Sequence, residues 1–311
     1  MMIFDAHCDT ASVTLDLKAG LRSNSCQADL ERMRMPGGRV QVFAAFVNPA
    51  LYRSCELRRA LQIIDNIYRQ AEENSDLMTV CTSAEDIKKA VADSKLAALI
   101  SVESGEALQG ELASLRMLYR LGVRSLCLTW NYRNELADGA WESSASGLSA
   151  FGRSVVEEMN RLGMLVDVSH ISERGFWDVL ERTKASVIAS HSNAKALCSH
   201  PRNLTDAQLK ALKANGGVAG VNLFPQFLNA SGDASIDDII SHIEHIVSLT
   251  GEDHIGLGCD FDGIIITPSD VKGVQDVEKI FDRLLALNYT NEFMEKFAGG
   301  NFMRVAEAVL K

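Results

Sequence analysis

The 311-residue sequence contains no apolar run approaching the roughly 20 residues that a membrane-spanning helix requires. It has no excess of positive charge either: 41 acidic residues against 31 Lys and Arg give a net charge of -10 and a pI near 5.2. Nucleic acid and anionic membrane surfaces are therefore not expected as partners, because each demands a basic patch that replaces counterions. The opening MMIFDAHCDT shows no basic stretch leading into a long apolar segment and nothing suggests a lipid anchor, so a cytoplasmic location is expected. The seven cysteines (Cys8, Cys26, Cys55, Cys81, Cys127, Cys198 and Cys259) are odd in number and scattered, with no CxxC pair. That pattern suits reduced thiols rather than a disulfide frame and disfavours a cysteine-based zinc site. Pro-rich or Ser-rich linkers and shifts of charge along the chain are also missing, which leads to the expectation of a single domain over residues 1–311.

What is present is an ordinary globular composition, 47% apolar and 23% charged, in which short apolar runs alternate with amphipathic stretches. MIFDA, VQVFAAFV, LAALISV, VRSLCLTW, MLVDVS, SVIAS, GVAGVNL and HIGLGC read as eight strands. Between them lie helical patterns such as CELRRALQIIDNIYRQAEE, SAFGRSVVEEMNRLG and TDAQLKALKANGG. Thr205 with Gln208 forms a capping-box signature, and Gly163, Gly216 and Gly251 fall where helices end. Near-continuous apolar strands, each followed by a helix, indicate a parallel sheet covered on both faces, and eight of them predict a closed (β/α)₈ TIM-like barrel. An open doubly wound sheet would need a glycine-rich phosphate loop after its first strand, and FDAHCDT has none. Residues 10–38 are irregular and read as a long loop over the active face.

In such a barrel the site lies at the carboxyl ends of the strands. His7 and Asp9, Glu103, His170, His191 and Asp260 all fall there, on five different strands, with Asp262 just beyond. On an extended strand, His7 and Asp9 would leave the same face. Histidine and carboxylate donors suit Zn²⁺ and similar ions; a pair of such ions needs one bridging group, for which Glu103 is placed, and a water between them becomes a nucleophile near neutral pH. Asp260, left over at the rim, would accept that water's proton and deliver it to a leaving amine. Each residue also has a plainer reading: His170 and His191 as helix-capping residues, Glu103 in a solvated turn with Glu106, Asp260 in an Asx-turn before Gly263. His200, His242, His245 and His254 are assigned to structure or surface, with His242 and His245 able to face water together from one helix.

Taken in order, FDAHCDT, SVESGEAL, LGVRSLCLTWN, LVDVSHIS, VIASHSNAKALCSHPRNLTD, HIGLGCDFDG and NFMRVAEAV resemble the renal or membrane dipeptidases, binuclear zinc peptidases within the amidohydrolase-like barrels. The resemblance runs from near residue 3 to near residue 308. It implies that His7, Asp9 and Glu103 hold a first zinc and Glu103, His170 and His191 a second. It further implies that Arg202 binds the substrate's C-terminal carboxylate and that Asp260 meets the substrate amine and shuttles the proton. A homodimer is implied as well. One position departs: where the mammalian enzymes carry a histidine thought to polarise the scissile carbonyl, this chain has Trp130, whose indole N–H is the donor available there. The leading expectation is a dipeptidase acting on free L,L and L,D dipeptides. An amidohydrolase for another amide, a lactone or a phosphoester is the alternative, disfavoured by glutamate where many such enzymes bridge with carbamylated lysine. A non-catalytic metal-binding relative comes third, since no ligand position is lost.

Overall fold

A strand buried on both faces needs apolar side chains at every position rather than at alternate ones, and that is what the short runs of this chain supply. The computed structural model describes all 311 residues. Nine parallel strands form one sheet: β1 (Ile3–Cys8), β2 (Arg39–Phe46), β3 (Met78–Val80), β4 (Leu96–Glu103), β5 (Val123–Cys127), β6 (Leu165–Asp167), β7 (Ile188–Ala189), β8 (Val218–Val221) and β9 (Ile255–Leu257). Pairing of β2 with β4, from Val40 opposite Ala97 to Phe46 opposite Glu103, and of β1 with β9 closes eight of them into the expected α/β barrel. The ninth, β3, was not among the eight expected strands. It lies outside the ring against Leu96–Ala98 at the start of β4, below the place where β5 takes over the same edge.

Inside the barrel Phe4, Ala6, Val42, Leu99, Leu165, Ile188 and Val218 pack in one cluster with Phe302, Met303, Val305, Ala306 and Val309 of the last helix, Asn301–Val309. That helix closes the amino-terminal end of the barrel, with the Phe4 and Phe302 rings 5.5 Å apart. The outer helices bury their apolar stripes against the other side of the strands: helix Glu56–Glu73, for example, buries Ala60, Ile63, Ile64 and Ile67. Their ends follow the sequence signals. Thr205 and Gln208 make the reciprocal capping-box bonds, and Gly163 ends helix Ala150–Leu162 at φ 76°, a conformation that costs glycine little.

Residues 10–38 are a correction. Rather than one long loop, they contain helix Thr10–Leu17, directly after β1, and a single turn at Leu30–Met33. The β-branched Thr10, Val13 and Thr14 obscure the first helix in the sequence. Nor does the segment roof the active face throughout. Gln27 reaches that face, but Leu30, Met33, Met35 and Pro36 line a cleft with Arg39 and Leu96, the first residues of β2 and β4, at the opposite end of the barrel.

Candidate active site

The geometry of the site begins with a bulge in β1. Asp5 pairs with Gln41 and Cys8 with Phe43, three steps on β1 against two on β2. Cys8 therefore packs into the layer beneath the helices, while His7 turns inward. Asp9 is not part of the strand: at φ -101° and ψ 6° it occupies the N-cap position of helix Thr10–Leu17, yet its carboxylate makes no capping bond. It lies instead 3.3 Å from His7 Nε2. The two residues meet, but through a bulge and a helix start rather than the shared strand face expected from their spacing.

Glu103, the last residue of β4, reaches both sides of the site. Its Oε2 is 3.2 Å from His7 Nε2, and its Oε1 is 2.8 Å from His170 Nε2 and 4.0 Å from His191 Nε2. His170 follows β6 in a left-handed conformation, φ 67°, and His191 follows β7. All five of these groups are buried.

The protonation of the two later histidines is determined by neighbours that sequence reasoning missed. Ser190 Oγ lies 2.5 Å from Asp167 Oδ2 and 2.6 Å from His191 Nδ1. A carboxylate only accepts, so Ser190 donates to Asp167 and accepts from His191 Nδ1–H, which leaves Nε2 bare. His170 Nδ1 likewise donates to Asn131 Oδ1 at 2.8 Å, leaving its Nε2 bare. The two bare nitrogens stand 2.8 Å apart, beside an acceptor-only carboxylate. Lone pairs facing one another at that distance repel, and a cation relieves the repulsion. His7 Nε2 and Asp9 Oδ1 are also buried without a hydrogen-bond partner. The donor atoms fall into three overlapping sets, His7 with Asp9 and Glu103, Glu103 with His170 and His191, and His7 with His191 and Asp260, each within 4.8 Å. Imidazole and carboxylate donors so arranged fit divalent metal ions.

Charge follows the same division. Burial, with Arg202 nearby, pushes His170 down to about 3 and His191 well below the usual histidine range. Burial would do the same to His7, but Glu103 and Asp9 outweigh it and raise that imidazole well above its ordinary value. Burial lifts Asp9 to about 6 and, reinforced by Asp9 and Glu103 against the pull of His7, Asp260 to about 7. At Glu103 burial is overcome by His7 and His170, which hold the carboxyl well below the usual range.

Asp260 sits three residues after β9, at φ 63°, with Oδ2 accepting from Asn222 Nδ2 at 2.8 Å and Oδ1 3.8 Å from His7 Nε2. Arg202 is 3% exposed and has no carboxylate partner. Its Nη2 donates to the His191 carbonyl at 3.2 Å, its Nη1 makes a long contact with Ser192 Oγ at 3.5 Å, its Nε has no partner, and its guanidinium lies over the Phe227 ring. Trp130 is half-buried, its ring 5.3 Å from Phe46 and 6.4 Å from His170.

The turn expected at DFDG is present, the Asp260 carbonyl accepting from Gly263 N–H at 3.1 Å, but the capping reading of His170 does not hold. Ser172, not His170, caps the helix Glu173–Arg182. The other histidines stay out of the site, though His242 corrects the surface reading: fully buried, it donates from Nε2 to the Leu228 carbonyl and accepts at Nδ1 from Ala194 N–H, while only the neighbouring His245 reaches the surface and pairs with Asp206. Ser190 and Asn131 carry no sequence signal of their own: a metal-ready histidine anchors its second nitrogen, but the partner of His170 lies 39 residues away in the chain.

The whole chain, residues 1–311, matches the family model of the membrane dipeptidases, peptidase family M19. The chain belongs to family M19. It is accordingly a metallo-dipeptidase, a hydrolase acting on peptide bonds. It is 40% identical over 310 residues to an uncharacterized dipeptidase of Schizosaccharomyces pombe, covering 93% of this chain and 73% of that one. The crystal structure of dipeptidase AC, an M19 metallopeptidase, superposes with a TM-score of 0.93 at 26% identity, over 100% of this chain and 99% of that one. A metallopeptidase from Rhodobacter sphaeroides, solved with a phosphinate mimic of the dipeptide L-Ala-D-Ala, gives 0.91 at 26% identity over 99% of each chain.

Proposed function

We propose that this M19 member is a zinc-dependent dipeptidase hydrolysing free dipeptides of L,L and L,D configuration, with two Zn²⁺ per chain. His7, Asp9 and Glu103 would hold one ion and Glu103, His170 and His191 the other, Glu103 being shared. When bound, the ions would supply Lewis acidity toward the scissile carbonyl and a water acidic enough to attack as hydroxide near neutral pH. The observation that carries the substrate reading is Arg202, a buried guanidinium without a carboxylate partner beside the metal-ready groups. A substrate's terminal carboxylate supplies what it lacks, in the planar bidentate form that suits guanidinium. A carboxylate anchored this close to the reacting bond also excludes longer peptides.

Asp260, gripped at Oδ2 by Asn222, keeps Oδ1 free toward His7; there it takes the proton and returns it to the leaving amine. Trp130 walls the site beside His170 and offers its indole N–H in place of the histidine of mammalian relatives. The L-Ala-D-Ala mimic bound by the Rhodobacter relative supports the L,D part of the proposal. The test is a dipeptide panel on zinc-reconstituted protein, scored by released amino acids, beside metal-stripped and Asp260→Asn controls. Cleavage that vanishes in both controls is expected, and silence across the panel with two zinc ions bound would refute the proposal. Sedimentation of the same preparation would test the proposed homodimer.

A further inference from the structure

Asp262, the second aspartate of DFDG, belongs to none of the metal-ready sets. Both of its oxygens are taken: Oδ2 accepts from Thr10 Oγ1 at 2.6 Å and Oδ1 from Gln27 N–H at 2.7 Å. Gln27 answers with its side chain, accepting from Asp262 N–H at 2.9 Å and donating to the Ile264 carbonyl at 2.7 Å. Four bonds thus join the turn after β9 to the segment after β1. They flank the site's two raised carboxyls, for Thr10 follows Asp9 and Asp262 lies two residues past Asp260.

Between the flanks is Gly263. A Cβ there would overlap both Asp260 Oδ1 and Asp9 Oδ2, so the two carboxylates rest against its backbone. The parallel pairing that continues β1 and β9 ends just before it, with Asp260 N–H to the His7 carbonyl and Asp9 N–H to the Phe261 carbonyl. Both aspartates of the turn are left-handed, φ 63° and 66°, a conformation that side-chain bonds commonly stabilise. Past Phe261, Gly263 N–H donates to the Asp260 carbonyl at 3.1 Å, and the bonds of Asp262 together with the Gln27–Ile264 bond tie this turn to the segment after β1.

We propose that Asp262, Gln27 and Thr10 form a positioning clasp that fixes the separation of Asp9 and Asp260. None of the three is a catalytic residue; the clasp acts through Gly263 on the distance between a metal-side carboxylate and the proton-shuttling one. The inference rests on the proposed dipeptidase reading for its kinetic arm only.

The experiment compares Gln27→Ala, Thr10→Val and Thr10→Ser as zinc-loaded protein. Gln27 keeps its backbone place through its carbonyl, which accepts from Val274 N–H at 2.9 Å, so removing its side chain leaves the segment anchored. Expected for Gln27→Ala and Thr10→Val are a kcat lowered about 10-fold or more and zinc transfer to a chelator accelerated about 10-fold. KM should stay within about 2-fold, because Arg202 is held elsewhere, by His191 and Ser192. Thr10→Ser, which keeps the hydroxyl, should behave as wild type in both assays. Unchanged kcat and zinc-transfer rates would overturn the proposal, as would Thr10→Ser impaired as badly as Thr10→Val or losses spread equally over kcat and KM. If the wild-type protein cleaves no dipeptide, the dipeptidase reading fails by itself, and the zinc-transfer rates still decide for or against the clasp.

Discussion

Replacing Arg202 with methionine separates recognition from stability, because the free protein gains little from this charge. A buried guanidinium with one 3.2 Å bond to a carbonyl, one 3.5 Å contact to a hydroxyl and an unpartnered Nε is poorly compensated for its lost hydration. Removing it leaves no carboxylate stranded, since none is paired with it. Substituting well-packed apolar side chains for buried charge is commonly neutral or stabilising by about 1 kcal/mol or more, so Arg202→Met should unfold at the same temperature as wild type or higher. Catalysis should suffer heavily. Two charge-assisted bonds to a substrate carboxylate, at roughly 1.5–3 kcal/mol each, correspond to a loss of about 10²–10⁴ in kcat/KM. The assay measures kcat/KM for a cleaved dipeptide and for its C-terminal amide. Wild type should prefer the free acid by about that factor, and Arg202→Met should treat the two nearly alike. An equal loss on acid and amide, or destabilisation beyond about 2 kcal/mol, would refute the reasoning and make Arg202 a structural residue.

Ser190→Ala should lower zinc affinity about 10- to 100-fold in chelator competition by freeing the His191 tautomer, while the donor atoms themselves stay in place. Asp260→Asn should stabilise the metal-free protein in a pH-dependent way, followed by thermal unfolding. With the folded pKa raised to about 7 from 3.8, folding of wild type costs progressively more as pH climbs between those values; the variant's advantage should be full at about pH 8 and nearly gone at about pH 4. Phe302→Ala, which empties the plug beneath Phe4, should cost about 3–5 kcal/mol in denaturant unfolding and leave KM unchanged.

The barrel was legible because each strand that closes it lies within a longer run of mostly apolar letters, even where, as at Leu165–Asp167, Ile188–Ala189 and Ile255–Leu257, only two or three residues pair. What was not legible was short or locally contradictory. Met78–Val80 follows a helix in a short apolar stretch, and its pairing depends on a free edge at Leu96–Ala98 that exists only once the barrel has formed. Helix Thr10–Leu17 begins at a residue whose carboxylate is diverted to His7, so the usual capping signal is spent elsewhere.

The site divides along the same line. Its charged members were legible one by one, because a histidine or carboxylate at the end of an apolar strand is rare enough to notice, and His7, Asp9, Glu103, His170, His191 and Asp260 do converge. The groups that make them usable were not. Asn131, Ser190, Asn222 and Gln27 are neutral, common in loops, and act by presenting one oxygen or one N–H at a fixed place. Nothing in a string of letters distinguishes a serine that fixes a tautomer from one that faces water. Yet without Ser190 and Asn131 the two histidines could carry protons on Nε2, and the opposed lone pairs that call for a cation would become an ordinary hydrogen bond. The chemistry thus depends as much on the neutral residues as on the charged ones they orient, and only the fold shows which neutral residues these are.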